Sequence, residues 1–219
     1  MDTQRLIDQL KSRDSLARGA AIDAIVAEGT PNVEVLYPLL ADPDPVVRFK
    51  VACALAEWQD NRGLQVLIGA LANRELCFMA LEALLLLGSP EAVPELKRFF
   101  GRRFLHPIER LQTAAALFCS GEPSALDFIR ERLSSHRQDE RGMAIELWGR
   151  LKQPDARALL ETILADPNDA QRLDAVRALE MLNDPRSLAL LDRVAADPQD
   201  EQLAEAARAA VDAIRRMNE

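Results

Sequence analysis

The chain has 219 residues, of which 48% are hydrophobic and 28% charged, and carries a formal charge of −8. It is too apolar to stay disordered and long enough to bury a core, and its acidity argues against the broad phosphate contacts that drive nonspecific nucleic-acid binding. The longest apolar run, Leu76 to Leu87, is broken by Glu82 and is shorter than a bilayer-crossing helix, so no membrane span is expected.

The opening MDTQRLIDQL lacks the basic and apolar regions of a secretory leader, which makes a cytoplasmic location the expectation. Cys53, Cys77 and Cys119 are odd in number and far apart, with no metal-ligand spacing. They read as reduced thiols, and no metal or cofactor is expected.

The chain repeats itself. Ala41-Asp42-Pro43-Asp44, Ala165-Asp166-Pro167-Asn168 and Ala196-Asp197-Pro198-Gln199 recur in step with a period of 31 residues. Arg18, Arg48, Arg110, Arg141 and Arg172 keep the same rhythm, with Met79 and Leu203 in the two remaining slots. Seven repeats fit one domain over 1–219, with approximate limits 1–30, 31–60, 61–89, 90–121, 122–153, 154–184 and 185–219.

In chain order, each repeat reads as two helices joined by a short polar turn, and no stretch alternates as a strand would. Leu6/Leu10, Leu36/Leu40, Leu67/Leu71, Ile129/Leu133 and Leu160/Leu164 lie one turn apart on the first helices and form a seam. Pro31, Pro123, Pro154 and Pro185 suit a first helical turn, and Asp44 before Pro45 suits an N-cap of the second helix in repeat two. Second helices combine small residues with aliphatics, as in Val51, Ala52 and Leu55 or Ala175, Val176 and Leu179. Ile25, Leu55, Leu86, Leu117, Trp148 and Leu179 share one column and are expected in the core. No such hairpin buries both faces alone, so stability must come from stacking.

Hairpins of about 31 residues, with an Asp in the inter-helix turn, an Arg six positions later and an Ala/Leu-rich second helix, resemble HEAT repeats; Asp42 to Leu55 shows the whole pattern. The nearest subtype is the short bacterial kind called phycobilisome-lyase-like. The resemblance spans essentially the whole chain, although the full Asp/Arg pair occurs only in Asp42/Arg48 and Asp166/Arg172. It implies an all-α fold, an α-solenoid in a right-handed superhelix of seven stacked hairpins, and a scaffold or adaptor whose concave face of second helices binds another macromolecule.

The Arg column reads as structural, bonding turn Asp and backbone groups, against the alternative of a phosphate-binding stripe. The Asp-Pro turns read as caps and turns, since no Gly-containing calcium loop surrounds them. Positions two, five and nine after each Arg slot should line the concave face. There, Leu81, Leu84, Ala115, Cys119 and Met143 would form an exposed apolar patch, flanked by Cys53, Glu57, Glu146 and Arg150. The competing reading is a rotated third hairpin that buries Leu81 and Leu84, which Glu82 favours.

Repeat four departs from the pattern by starting early, at Pro90, and by a longer connection from Phe100 to Pro107. Residues 61–121 carry +2, against −4 for 1–60 and −6 for 122–219. Arg102, Arg103 and Phe104 could dock an acidic peptide, a phosphate or a nucleotide, while the competing reading has Phe99, Phe100 and Phe104 plug irregular packing. Trp58 is a candidate interface anchor or a cover for the neighbouring loop.

Catalytic signals are missing. His106 and His136 are the only histidines, and neither sits in a His-Glu pair of the sort used by iron-binding HEAT-repeat hydroxylases. No phosphate-cradling loop, His-Glu-x-x-His or Gly-x-Ser-x-Gly elbow occurs, and the acidic stripe does not suit a DNA glycosylase. The reading is a non-enzyme that holds another protein or a peptide segment. A chromophore-lyase-like or other HEAT-repeat enzyme and a homo-oligomerising structural protein are the alternatives.

Overall fold

A computed structural model of the chain describes residues 3–29, 33–197 and 199–218. Pro31 and Pro198 lie outside them. The fold is an all-α solenoid, with no strand among the described residues. Contacts divide the chain into two compact units, Met1–Pro123 and Ser124–Glu219.

Among the described residues the first unit holds four hairpins. They are α1 (Thr3–Gln9) with α2 (Ser15–Ala27), a pair of tight turns with α3 (Pro45–Glu57), α4 (Leu64–Ala70) with α5 (Cys77–Leu87), and α6 (Val93–Phe100) with α7 (Pro107–Cys119). The second unit holds three: α8 (Ala125–Arg132) with α9 (Gln138–Arg150), α10 (Ala156–Ala165) with α11 (Arg172–Leu182), and α12 (Leu188–Ala195) with α13 (Glu201–Asn218). In each unit the second arms pack in sequence, α2 on α3, α3 on α5 and α5 on α7, then α9 on α11 and α11 on α13.

The hairpin starts follow local chemistry. Asp14 and Asp44 accept the N–H groups of Leu16 and Val46 at 3.0 and 2.8 Å, satisfying donors that the first turns of α2 and α3 leave open. Pro123 and Pro154 occupy the turns just before α8 and α10, and Pro185 opens a 3-10 turn before α12. Repeat two lacks an α-helical first arm: Val33–Val35 and Tyr37–Ala41 are 3-10 turns, because Pro38 has no N–H to give an α-helical ladder. The seam survives nonetheless, with Leu6, Leu10, Leu36, Leu67, Leu71, Ile129, Leu160 and Leu164 buried and Leu40 and Leu133 half-buried.

The core column holds at Ile25, Leu55, Leu117, Trp148 and Leu179, and fails at Leu86, which is 45% exposed. The cause is a shift of register. The Asn73 side chain accepts from Glu75 N–H at 2.9 Å and its carbonyl accepts from Cys77 N–H at 2.8 Å, the same pattern that Asp44 makes with Val46 and Arg48. Cys77, and not Met79, therefore stands in the Arg slot, and Leu84 takes the core position. Twenty-nine residues separate Arg48 from Cys77 and 33 separate Cys77 from Arg110, so a short repeat three is followed by a long repeat four.

Candidate functional site

The five arginines in the column all turn inward onto backbone. Arg18 Nη1 donates to Ser12 O at 2.8 Å, Arg48 Nη1 to Asp42 O at 2.6 Å, Arg110 Nη2 to Arg102 O at 2.7 Å, Arg141 Nε to Leu133 O at 3.0 Å and Arg172 Nε to Leu164 O at 3.1 Å. Each satisfies a carbonyl in the first arm of its own hairpin or in the connection that follows it. The pairing with turn carboxylates differs from the expected Asp42/Arg48 and Asp166/Arg172 pairs. Asp42 receives two 2.7 Å bonds from Arg18 of the preceding repeat, and Asp169 receives two from Arg141, because the fork of a guanidinium reaches across to the next turn more readily than back to its own. Burial alone would raise the Asp42 carboxyl, but the bonds from Arg18 and from the Asp44 N–H hold it below the usual carboxylate range. Asp42, Asp44, Asp166 and Asp169 each accept a backbone N–H two residues on, as caps and turns do. No cluster of three potential metal-ligating side chains occurs among the described residues.

Repeat three has no arginine of its own at this position. Its Leu71 carbonyl is approached instead by Arg102 Nη1, from the long connection of repeat four, at 3.5 Å. Arg102 lies over the Phe99 ring, 4.3 Å from its centre, while its own carbonyl is held by Arg110. The connection ends on a capping box. His106 Nδ1 accepts the Ile108 N–H at 3.3 Å, and the Glu109 carboxylate accepts the His106 N–H at 3.3 Å. These contacts fix the loop between α6 and α7.

Beside Cys77 lies an open groove of about 660 Å³, lined by Leu71, Arg74, Cys77, Phe99, Arg102, Arg103, Phe104, His106 and Glu109, among others. Its rim is marked by Phe104, 90% exposed, with the Arg103 guanidinium 5.4 Å from its ring centre. No carboxylate is ion-paired to Arg74, Arg102 or Arg103 among the described residues, whereas Lys97 and Arg98 on α6 are paired to Glu122 and Glu95. Burial pushes the Cys77 thiol up to about 11, with the nearby Glu109 adding to the effect, so it stays neutral at ordinary pH and acts as an apolar wall.

Of the residues expected at a binding surface, Arg102, Arg103 and Phe104 come together here. Leu81, Leu84 and Ala115 do not belong to any exposed patch; all three are fully buried. The register shift rotates Leu81 and Leu84 inward, onto the packing of α5 with α3 and α7, and the surface stripe of α5 is Met79, Glu82 and Leu86 instead. On α7, Gln112 is buried beneath Glu82, donating to its Oε1 at 2.9 Å, and the Ala115 side chain is too short to reach out. Helix α5 comes close to α7 at its end, where a Cβ on Gly88 would lie 3.1 Å from Cys119 O.

Cys53 and Cys119 are half-buried, and the Cys53 thiol is pushed up to about 11, by burial first and by Glu57 second. Met143 and Glu146 are half-buried on α9 of the second unit, where Arg177 pairs with Glu146 at 3.5 Å. Trp58 is half-buried against the core of the first repeats and, with Val33 and Asp60, borders a shallow hollow. Sequence reading missed Arg74, Cys77, His106 and Glu109. Asn73, a cap residue directly before Arg74-Glu75 and the apolar run, was the signal that could have found them.

A sequence profile of HEAT repeats matches residues 3–76 and 126–212. The unmatched stretch between them contains the shifted helix α5 and the long connection. By fold the chain is similar to the structure of the complex of CpcE and CpcF of phycocyanin lyase from Nostoc sp. PCC7120, with a TM-score of 0.59 and 20% identity over 100% of this chain and 93% of that chain. It is also similar to human deoxyhypusine hydroxylase in complex with glycerol, with a TM-score of 0.43 and 18% identity over 98% of this chain and 96% of that chain. No curated protein matches the sequence.

Proposed function

The chain belongs to the HEAT-repeat family, and from that premise we propose that it works as a non-catalytic scaffold that holds another protein. The observation that carries this reading is Phe104, an aromatic side chain 90% exposed on a loop that its neighbours fix in place. A large apolar ring held in water is costly unless something covers it, and a rigid anchor loses little freedom when it is covered. The cavity beside it is wide enough for a side chain of a partner. Phe78, Met79 and Leu86 on α5, each about half exposed, extend the apolar surface of the same unit. The similarity to a structure that is itself a complex of two proteins agrees with a protein partner.

No helix among the described residues is long and apolar enough to cross a membrane, which leaves the partner as the object to be found. Affinity capture from the source cells, with bound proteins identified by mass spectrometry, tests the reading. The wild-type chain should retain a protein in stoichiometric amount and Phe104→Asp should lose it with an unchanged melting curve. Equal recovery by both, or recovery of none, contradicts it.

A further inference from the structure

We propose that the groove beside Cys77, where repeat three has no arginine, recognises an acidic segment of a partner protein, in which a carboxylate stands next to an apolar side chain. This rests on the scaffold reading and names the chemistry of what is held. In repeats one, two, four, five and six a guanidinium lies along the carbonyl end of the first arm; at Cys77 there is a thiol of a fraction of that length. The shorter side chain leaves the end of the first arm open to the groove. Its floor is apolar, made by Leu71, Cys77 and Phe99, all buried, and suits an aliphatic or aromatic side chain.

The walls choose the charge. Three guanidiniums, Arg74, Arg102 and Arg103, line the groove against one carboxylate, Glu109, which is committed to the His106 N–H. Arg102 is the substitute for the absent repeat arginine, and at 3.5 Å its bond to the Leu71 carbonyl is the longest that an arginine makes to a first-arm carbonyl in this series. A partner carboxylate is a stronger acceptor than that carbonyl, since both sides of the new bond carry charge. The rest of the chain is acidic, so an acidic segment would be repelled elsewhere and drawn to this third, the one with net positive charge.

The test is Cys77→Arg. It places at position 77 the residue that repeats one, two, four, five and six carry there, narrows the groove over its apolar floor, and gives the Leu71 carbonyl the same donor that Arg48 gives Asp42. A fluorescein-labelled synthetic peptide with Asp and Glu flanking a central Leu-Phe pair is titrated by anisotropy, beside a counterpart with Lys for every acid. The wild-type chain should bind the acidic peptide and not the basic one, and binding should weaken about tenfold or more as salt rises from about 0.05 to about 0.5 M. Cys77→Arg should abolish binding with its helical signal intact. If Cys77→Arg fails to fold, Arg74→Glu with Arg103→Glu, both on exposed side chains, decides with the same readout. No binding by the wild-type chain, equal binding of both peptides, or equal binding by the variants overturns the proposal. Partner capture repeated with the same variants separates the two claims. Retention of a native partner by both leaves the scaffold standing and removes it from this groove.

Discussion

Arg18 and Asp42 show how one pair of side chains ties consecutive repeats together. Both are largely buried, the guanidinium meets the carboxylate in two parallel bonds, and Arg18 also holds Ser12 O. Because the Asp42 pKa is lowered in the folded state, its contribution is present above the unfolded value of about 4 and is lost as pH falls through the folded one. Asp42→Asn should therefore lower the urea midpoint at neutral pH, and the gap from wild type should close as the pH drops below the ordinary carboxylate range. A gap that does not change with pH would mean that the pair is not what titrates. Leu84 gives the second prediction at this scale. Leu84→Ala should cost about 2–5 kcal/mol in denaturant unfolding, as buried truncations do, while Leu86→Ala should cost about 1 kcal/mol or less. A strict period of 31 gives the opposite order, with Leu86 in the core and Leu84 on the surface, whereas the rotated third hairpin buries Leu84.

That reversal explains how far the sequence could be read at the level of helices. Hairpin number, seam, caps and the inward turn of the Arg column were legible, because each rests on local spacing that most repeats restate. Helix α5 was legible only as one of two open readings, the rotated third hairpin that Glu82 favours, since a repeat two residues short followed by one two residues long leaves the overall rhythm from Arg48 to Arg110 untouched. A shift of two residues rotates the helix by about 200°, slightly more than half a turn and enough to exchange the core and surface faces. The same compensation concealed the groove: with Met79 in the Arg slot, Cys77 had no reason to be noticed. The loop residues Arg102, Arg103 and Phe104 were found from composition alone, which says nothing about what stands opposite them. Helix contacts carry a further prediction. A Cβ on Gly149 would lie 2.4 Å from Ala178 O, so α9 and α11 touch backbone to backbone there, whereas a Cβ on Gly69 in α4 would meet nothing within 4 Å. Gly149→Ala should destabilise by about 1–3 kcal/mol, and Gly69→Ala should be neutral or stabilise by up to about 1 kcal/mol. Equal effects would show that α9 and α11 lie further apart.

For the molecule as a whole, the two compact units give different surfaces to a partner. The first holds the positive third of the chain, the long connection and the exposed Phe104. The second carries a net negative charge and several surface ion pairs, as in Arg177 with Glu146 and Asp174, or Arg215 with Asp192. Exposed ion pairs of this kind add little stability, and the net charge of −6 over residues 122–219 repels the acidic segment proposed for the groove. We propose that partner binding lies in the first unit, at the connection between α6 and α7. The most direct measurement replaces Phe104 with the photo-crosslinking analogue p-benzoylphenylalanine in the source cells, with Leu16 and Met217, two other exposed apolar positions, replaced in parallel. Irradiation should give one discrete protein adduct from position 104 and none from positions 16 and 217. An adduct from either control position with none from 104 would contradict the assignment of the site.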